Sequence, residues 1–377
     1  MNLAFRDIRH KLGRFVLTCL GLSLLLGVVV TMAGIYRGMM ADALALPRSI
    51  NAEVWVVQGG TNGPFAETSR IPGDTREMIA RIDGIVAAGS VTFQPVQIDR
   101  DGQRLKLEVV GFEPGRPGGP VNLAAGRDIT RSHYELIADR KTGLTLGDRL
   151  ELGRDVYTVV GLTEWNVTAS ADPVVYITLR DAQDLQFDLT PPEARREAAR
   201  GMQRTNTDIV NAVVARISPN IPVEAVALDV RRWKHLSVLS GGEQEAILAT
   251  VVIEHARHQL GLFMGVLTVV SAVIIALIIY TLTMDKLREI ATLKLIGMPD
   301  RTIIGMILQQ ALLMGVVGFI AGAALVSAAK DRFPRRIVLE PTDLGILFGV
   351  VVVVCLLATA LAVRAAVRVD PARALAG

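Results

Sequence analysis

The sequence predicts an α+β membrane protein, with four transmembrane helices and a large extracytoplasmic α+β domain inserted between the first and second. Two observations carry that class. Four runs, 15–36, 260–284, 302–329 and 344–363, are nearly free of charge. Each is long enough to cross a hydrocarbon core about 30 Å thick. Between the first two runs lies a different material, residues 37–259, rich in charge, Gly and Pro and alternating as strands do. The chain of 377 residues is 51% hydrophobic and only 20% charged, fewer charges than a soluble chain of this length carries. A net charge of +3 gives no sign of a nucleic-acid partner.

Residues 1–14 precede the first run. Leu3, Phe5, Ile8 and Leu12 share one helical face, with Arg6, Arg9, Lys11 and Arg14 around the rest. That pattern predicts an interfacial helix on an anionic leaflet. The run 15–36 is longer than the apolar core of a signal peptide, and no A-x-A site closes it. It is therefore read as a retained span. Cys19 and Cys355 both lie in apolar runs, as small hydrophobes, and leave the polar middle without a disulfide framework.

In the inserted domain, strands are expected at 53–58 (EVWVVQ), 105–112, 156–162, 173–179 and 208–217. Residues 143–152 read as a turn feeding a strand, and 74–85 as a helix with Asp74 as its N-cap. A helical pattern over 180–204 is interrupted by Pro191 and Pro192, and 231–257 is expected to be a helix leading into the second span. Gly-Pro clusters at 59–64 and 114–120 mark exposed loops. Strand order stays open. The third span, 302–329, carries Gly318 and Gly322 at a spacing that permits close helix contact; the readings are a dimer contact or the ordinary glycine enrichment of spans.

Orientation follows from Lys and Arg in the short segments. The arm 1–14, the loop 285–301 and the tail 364–377 carry eleven, against four in the loop 330–343. Both termini are therefore expected in the cytoplasm. The domain 37–259 and the loop 330–343 are expected in the periplasm of a diderm bacterium.

Catalytic signals are few. Residues 239–244 (LSGGEQ) resemble the signature loop of ABC ATPases, yet the sequence has no G-x-x-x-x-G-K-[ST] phosphate loop. The simpler reading is a turn before a helix. Glu254, His255 and His258 form an E-H-x-x-H cluster without an obvious third ligand, read as a polar collar at the membrane interface. His133 shows no local nucleophile partner. No catalytic, cofactor-binding or metal site is assigned, and the chain is read as no enzyme. The first three spans hold no acid or base, and the fourth has only Arg364 at its end. Ion-coupled carriers place such groups at membrane depth, so any energy is expected to enter from outside the membrane.

That directs attention to the loop 285–301. Leu287, Ile290 and Leu293 form an apolar stripe, with Lys286, Arg288, Glu289 and Lys294 around it. Gly297 suits a helix C-cap, Pro299 discourages continuation and Asp300 is placed to cap the next helix. Helix, turn, helix results. Periodicity alone leaves open whether it docks a partner or lies on lipid.

Residues 288–297 (REIATLKLIG) resemble the R-E-x-A-x-L-[RK]-x-x-G cytoplasmic loop of FtsX/MacB-like ABC permeases. Together with 278–281 (IIYT) they look most like the DevC-type subgroup. The tail 368–375 (RVDPARAL) is similar to the family's closing D-P-x-x-A-L, and the first fourteen residues resemble its usual start. The resemblance covers the whole layout, without the fused ATPase of MacB. It implies a homodimer or heterodimer in the cytoplasmic membrane, each protomer docking a separate ABC ATPase that holds ATP-Mg. Arg288, Glu289, Ile290, Leu293, Lys294 and Gly297 would carry the coupling, by which ATPase motion moves the periplasmic domain. Export or extraction of a lipid, glycolipid or other amphiphile would follow, with a periplasmic adaptor and an outer-membrane channel completing the path. Two alternatives share the same machinery: an FtsX-like regulator of a cell-wall hydrolase, and LolC/LolE-like lipoprotein release.

Overall fold

The computed structural model describes residues 12–100, 102–188, 208–230, 232–233, 235–252, 254–285, 292, 296, 298–333 and 335–367. The chain forms two compact units, one of residues 1–38 with 257–377, the other Met39–Ala256.

Helix α1 runs from Leu12 to Ile50, 39 residues. It passes the expected end of the first span at Tyr36, because no breaker stands before Pro47. At about 1.5 Å per residue it is roughly twice as long as the hydrocarbon core is thick.

The second unit is built on a mixed ten-stranded sheet. Its strands are β1 Val54–Gln58, β3 Ile85–Arg100, β4 Gln103–Phe112, β5 Ala125–Gly126, β6 Glu135–Asp139, β7 Arg149–Leu152, β8 Asp155–Thr163, β9 Val174–Thr178, β11 Ala212–Ile217 and β12 Leu236–Ser240. The order is β12-β1-β11-β3-β4-β9-β6-β8-β5, with β7 on β8. Pairs β4–β9 and β6–β8 are parallel. A small second sheet joins β2 (Ile71–Pro72) to β10 (Ile209–Val210). Helices α2 (Thr75–Ala80), α3 (Leu179–Asp188), α4 (Val223–Val230) and α5 (Gly241–Ile247) complete the unit.

Alternation along each strand sends neighbours to opposite faces. In β1, Trp55 and Val57 join one core with Val91, Val110, Phe112, Val174, Tyr176 and Val214. Val54 and Val56 join a second core, filled by Ile79 of α2 and Val226 and Val230 of α4. In β4 and β9, Leu107, Val109, Val175 and Ile177 face a third core, with Ala182 and Leu185 of α3. Burial on both faces explains the continuous apolar runs of these strands.

The first core is where α1 ends. Leu46 and Ile50 are buried in it. Ser49 Oγ donates to the Leu46 carbonyl at 2.7 Å and lies 2.9 Å from Tyr176 Oη, so the tyrosine hydroxyl donates to the serine. Asn166 Nδ2 donates to Tyr176 Oη at 2.6 Å. The Asn166 backbone N–H donates to Asp139 Oδ2 at 2.6 Å. Asp139 also accepts from Lys141 N–H at 2.9 Å and Thr163 Oγ1 at 3.1 Å. Arg48, on the same turn of α1, forks onto Glu245 of α5 at 2.7 and 3.0 Å and lowers the Glu245 pKa. That pair is exposed and sets register more than stability.

Several sequence expectations need correction here. The 16-residue β3 was missed because Gly89 and Pro95 break its pattern. Beyond Val91 it pairs with β4 alone, so Pro95 sits on an open edge where no N–H is needed. The expected strand 208–217 is interrupted at Asn211, whose side chain accepts from Phe93 N–H and donates to the Ser69 carbonyl. Residues 231–257 are not one helix. Strand β12 comes first, then α5, then a π turn at Leu248–Val252. Asp74 precedes α2 as expected but makes no capping bond through its side chain. Residues 189–207, which hold most of the helical pattern expected over 180–204, lie outside the described residues.

Removing the Tyr176 hydroxyl with Tyr176→Phe keeps its ring beside Phe112 but strips Ser49 and Asn166 of their shared partner. The expected cost is about 1–3 kcal/mol, read as a lowered thermal midpoint of the full chain. An unchanged midpoint would show that this junction is not a stabilising one.

Candidate functional site

In the first unit, α1 packs with α6 (Glu254–Asp285), α7 (Asp300–Ala329) and α8 (Pro341–Val367). Among the described residues, four helices are long and apolar enough to span a membrane: Phe15–Ile50, His258–Asp285, Arg301–Ala329 and Pro341–Leu361. Cys19 and Cys355 are buried and unpaired.

The packing is close where glycines allow it. A Cβ on Gly322 would stand 2.6 Å from the Ser23 carbonyl oxygen of α1, and one on Gly318 would stand 2.9 Å from Leu22. The two sequence-predicted packing glycines thus meet α1 of the same chain. On the next pair of helices, a Cβ on Gly315 would meet Cys355 Sγ at 2.6 Å.

A second glycine pair, which sequence reading missed, lies on α1 itself. The segment 335–340, neither helix nor strand, crosses α1 at Gly34 and Gly38. Val338 N–H donates to the Gly34 carbonyl at 3.1 Å. A Cβ on Gly34 would stand 2.5 Å from Ile337, and one on Gly38 would overlap the Arg336 carbonyl. Between them Arg37 forks onto Asp343 at 2.6 and 2.9 Å and reaches Glu340 at 3.3 Å. The G-x-x-x-G spacing was visible; that a loop rather than a helix fills it was not.

Helix α6 buries a single stripe, Ser271, Ile275, Ile279 and Thr283, at a spacing of four. Leu262, Val266, Val269, Val273 and Leu277 point outward, as suits a helix facing lipid or a second protein.

The residues expected to carry coupling, Arg288, Glu289, Ile290, Leu293, Lys294 and Gly297, lie outside the described residues. Of their surroundings, α6 is described as far as Asp285, and Ile296 N–H donates to the Thr292 carbonyl at 3.2 Å. Pro299, with φ −69° and ψ 142°, is the residue before α7, so Asp300 is the first helical residue and not the cap.

The LSGGEQ stretch is a helix start. Ser240 and Glu243 form a capping box, with the Glu243 N–H donating to Ser240 Oγ at 3.1 Å and the Ser240 N–H to Glu243 at 2.8 Å. Gln244 is buried beneath Gly63, whose φ of +90° and tight contact suit only glycine. The side chains of Glu254 and His255 lie outside the described residues, and His258 is exposed. Among the described residues no cluster of three His, Cys, Asp or Glu side chains is placed to hold a metal ion.

Two further features emerge only in three dimensions. His133 Nδ1 bonds the buried Asp181 of α3, which also accepts from Tyr134 N–H at 3.1 Å. His133, but not Asp181, borders an open cleft of about 610 Å³. The other feature is a cavity of about 350 Å³ between Leu46 and Pro47 of α1, Phe65, Phe93, Pro95 and Leu248. Glu108 and Asp172 also line it. The Phe65 and Phe93 rings are 4.7 Å apart.

The carboxylates of this unit differ in how they are kept. Glu135 is buried but takes Arg127 at 2.5 Å and two backbone N–H groups, and the guanidinium holds its pKa down to about 2. Burial pushes Asp139 up, and its three donors pull it back. Glu108 makes no side-chain hydrogen bond or ion pair among the described residues. Burial first, then the negative charge of Asp172, push its pKa up to about 7.

Four apolar helices, with a mixed-sheet domain between the first and second, define a multi-pass membrane protein with a large non-membrane domain. Residues 15–243 match the MacB-like periplasmic core domain, and residues 261–371 match the FtsX-like permease C-terminal region. The chain belongs to this MacB/FtsX-like family of ABC transporter permeases. It is 24% identical over 374 residues to an uncharacterized ABC transporter permease of Mycobacterium tuberculosis (strain ATCC 25618 / H37Rv), covering 99% of both chains. A second such permease of that strain is 24% identical over 375 residues, again with 99% of each covered. Among solved structures, the periplasmic region of MacB from Actinobacillus actinomycetemcomitans matches with a TM-score of 0.37 and 10% identity, over 52% of this chain and 92% of that one.

Two outcomes are expected. Gly38→Val and Gly322→Val force backbone apart and cost about 1–3 kcal/mol each. Gly265→Val, with open space around it, leaves thermal stability in detergent unchanged. Equal midpoints for all three variants would refute the close packing. For Glu108, the folded chain keeps a proton that the unfolded chain has lost between the ordinary value of 4.5 and about 7. Stability therefore falls as pH rises through that window. Glu108→Gln should flatten the slope of thermal midpoint against pH there, and a slope equal to that of the parent would refute the shift.

Proposed function

We propose that this permease transmits the motion of a separate cytoplasmic ABC ATPase, which holds ATP-Mg, to its large domain on the far side of the membrane. It would serve the export or extraction of a lipid, glycolipid or other amphiphile. The loop 285–301 is the docking surface. Leu293 and Ile290 fill a groove on the ATPase, Arg288, Glu289 and Lys294 fix register and partner choice, and Gly297 permits the reversal. Both termini are cytoplasmic and the domain is periplasmic, on the Lys and Arg balance of the short segments. The subunit works as a homodimer or heterodimer, with an adaptor and an outer-membrane channel as further partners.

The observation that carries this reading is α1. It is one helix from Leu12 to Ile50, and its last turn is buried in the domain's sheet core, bonded to Tyr176. A chain so joined is suited to passing displacement rather than to enclosing a channel. The spans' lack of ionisable groups at depth supports an energy source outside the membrane.

Leu293→Asp and Gly297→Val should leave insertion and ATPase binding of nucleotide intact. In proteoliposomes with the partner ATPase, both should abolish the coupling of hydrolysis to amphiphile movement, by tenfold or more in rate. Normal transport by both variants would sink the assignment.

A further inference from the structure

The cavity of about 350 Å³ in the sheet-bearing unit has no place in the coupling reading. Its size falls within the range of drug-sized ligand sites, about 300–1,000 Å³. One wall is apolar and aromatic: Leu46, Phe65, Phe93 and Leu248. Trp55 supports Phe65 edge-on at 5.3 Å. Among the described residues, Glu108 and Asp172 are the only ionisable side chains in the lining, and both are acids. Neither has a hydrogen-bonding or cationic side-chain partner among the described residues.

For the half-buried Glu108 that arrangement is costly. A carboxylate taken from water is normally paired or richly hydrogen-bonded, as Glu135 is with Arg127 in the same unit. Glu108 sits mid-strand opposite Pro95, where an apolar residue would suit the wall. Two acids kept together without a cation, beside stacked aromatic rings, form a surface complementary to positive charge attached to an apolar body.

We propose that this cavity is a binding site for a cationic amphiphile, an organic cation whose apolar part lies against Phe65, Phe93 and Leu248 while its charge meets Glu108 and Asp172. The inference goes beyond the coupling mechanism and does not depend on it. It adds a position. Leu46 lies on the helix by which the chain enters this domain, and Leu248 opens the π turn through which it leaves. A ligand there touches both connections at once.

The test uses the full chain in lipid nanodiscs, without ATPase or nucleotide. Binding of tetraphenylphosphonium is measured by equilibrium dialysis, with empty nanodiscs subtracted. Its anionic isostere tetraphenylborate serves as the control for shape. Saturable binding of the cation is expected, with affinity at least tenfold lower in Glu108→Gln/Asp172→Asn, and the anion should show none. Ser170→Trp, at an exposed position on the rim, should also weaken binding while both acids remain. Thermal midpoints of the variants establish that they are folded. Equal affinity in parent and double variant, no saturable cation binding, or equal binding of the anion would each overturn the proposal. None of these results bears on coupling, and failure of the coupling variants would leave this site standing.

Discussion

The hydroxyl of Tyr176 is the point on which the inserted domain's relation to its leading helix depends. It lies at the centre of the sheet, wholly buried, donating to Ser49 on the last turn of α1 and accepting from Asn166. Asn166 in turn binds Asp139, which organises the turn after β6. A buried hydroxyl without partners costs more than a satisfied one gains, so this chain of bonds admits few alternatives. The last turn of α1 is held by this bonding as well as by the burial of Leu46 and Ile50. The Arg48–Glu245 fork adds register at the rim, where α5 begins the chain's exit from the domain.

The membrane unit uses the opposite material for the same end. With no water to drive helices together, contact must come from backbone approach. Gly318 and Gly322 on α7 admit α1, and Gly34 and Gly38 on α1 admit the irregular segment before α8. Arg37 and Asp343 close that crossing with a bidentate pair. Helix α6 shares little of this. Its one buried stripe leaves most of its described surface outward, and in the sequence it precedes the loop 285–301. The least embedded helix is thus next to the residues proposed to receive the ATPase.

Electrostatics separates structure from binding in the domain. Glu135, Asp139 and Asp181 are buried carboxylates with donors for their oxygens, and they hold loops. Glu108 and Asp172 lack such donors among the described residues and border a cavity. The same residue type is a fastener in one place and a candidate recognition group in the other. The difference lies in the neighbours, not in the residue.

The four apolar runs, the inserted domain and the strands at 54–58, 103–112, 155–163 and 174–178 were legible in the sequence. Each rests on local periodicity or on the length needed to cross lipid, and so was the Arg288–Gly297 motif that resembles the permease loop. What the sequence could not carry were relations between distant residues. Strand β3 was hidden because Pro95 is tolerated only where its edge has no neighbour, and β12 because its apolar run is too short to distinguish strand from helix. The extension of α1 to Ile50 was hidden because helix ends are set by what the last turn buries. The part played by Gly34 and Gly38 was hidden because the loop that crosses them lies about 300 residues away in the chain. The cavity with Glu108 and Asp172 exists only because β4 and the loop before β9 are adjacent in the sheet. Periodicity is a one-dimensional property that the sequence determines. Burial, pairing and the cost of an unpartnered charge depend on neighbours that only the tertiary structure brings together.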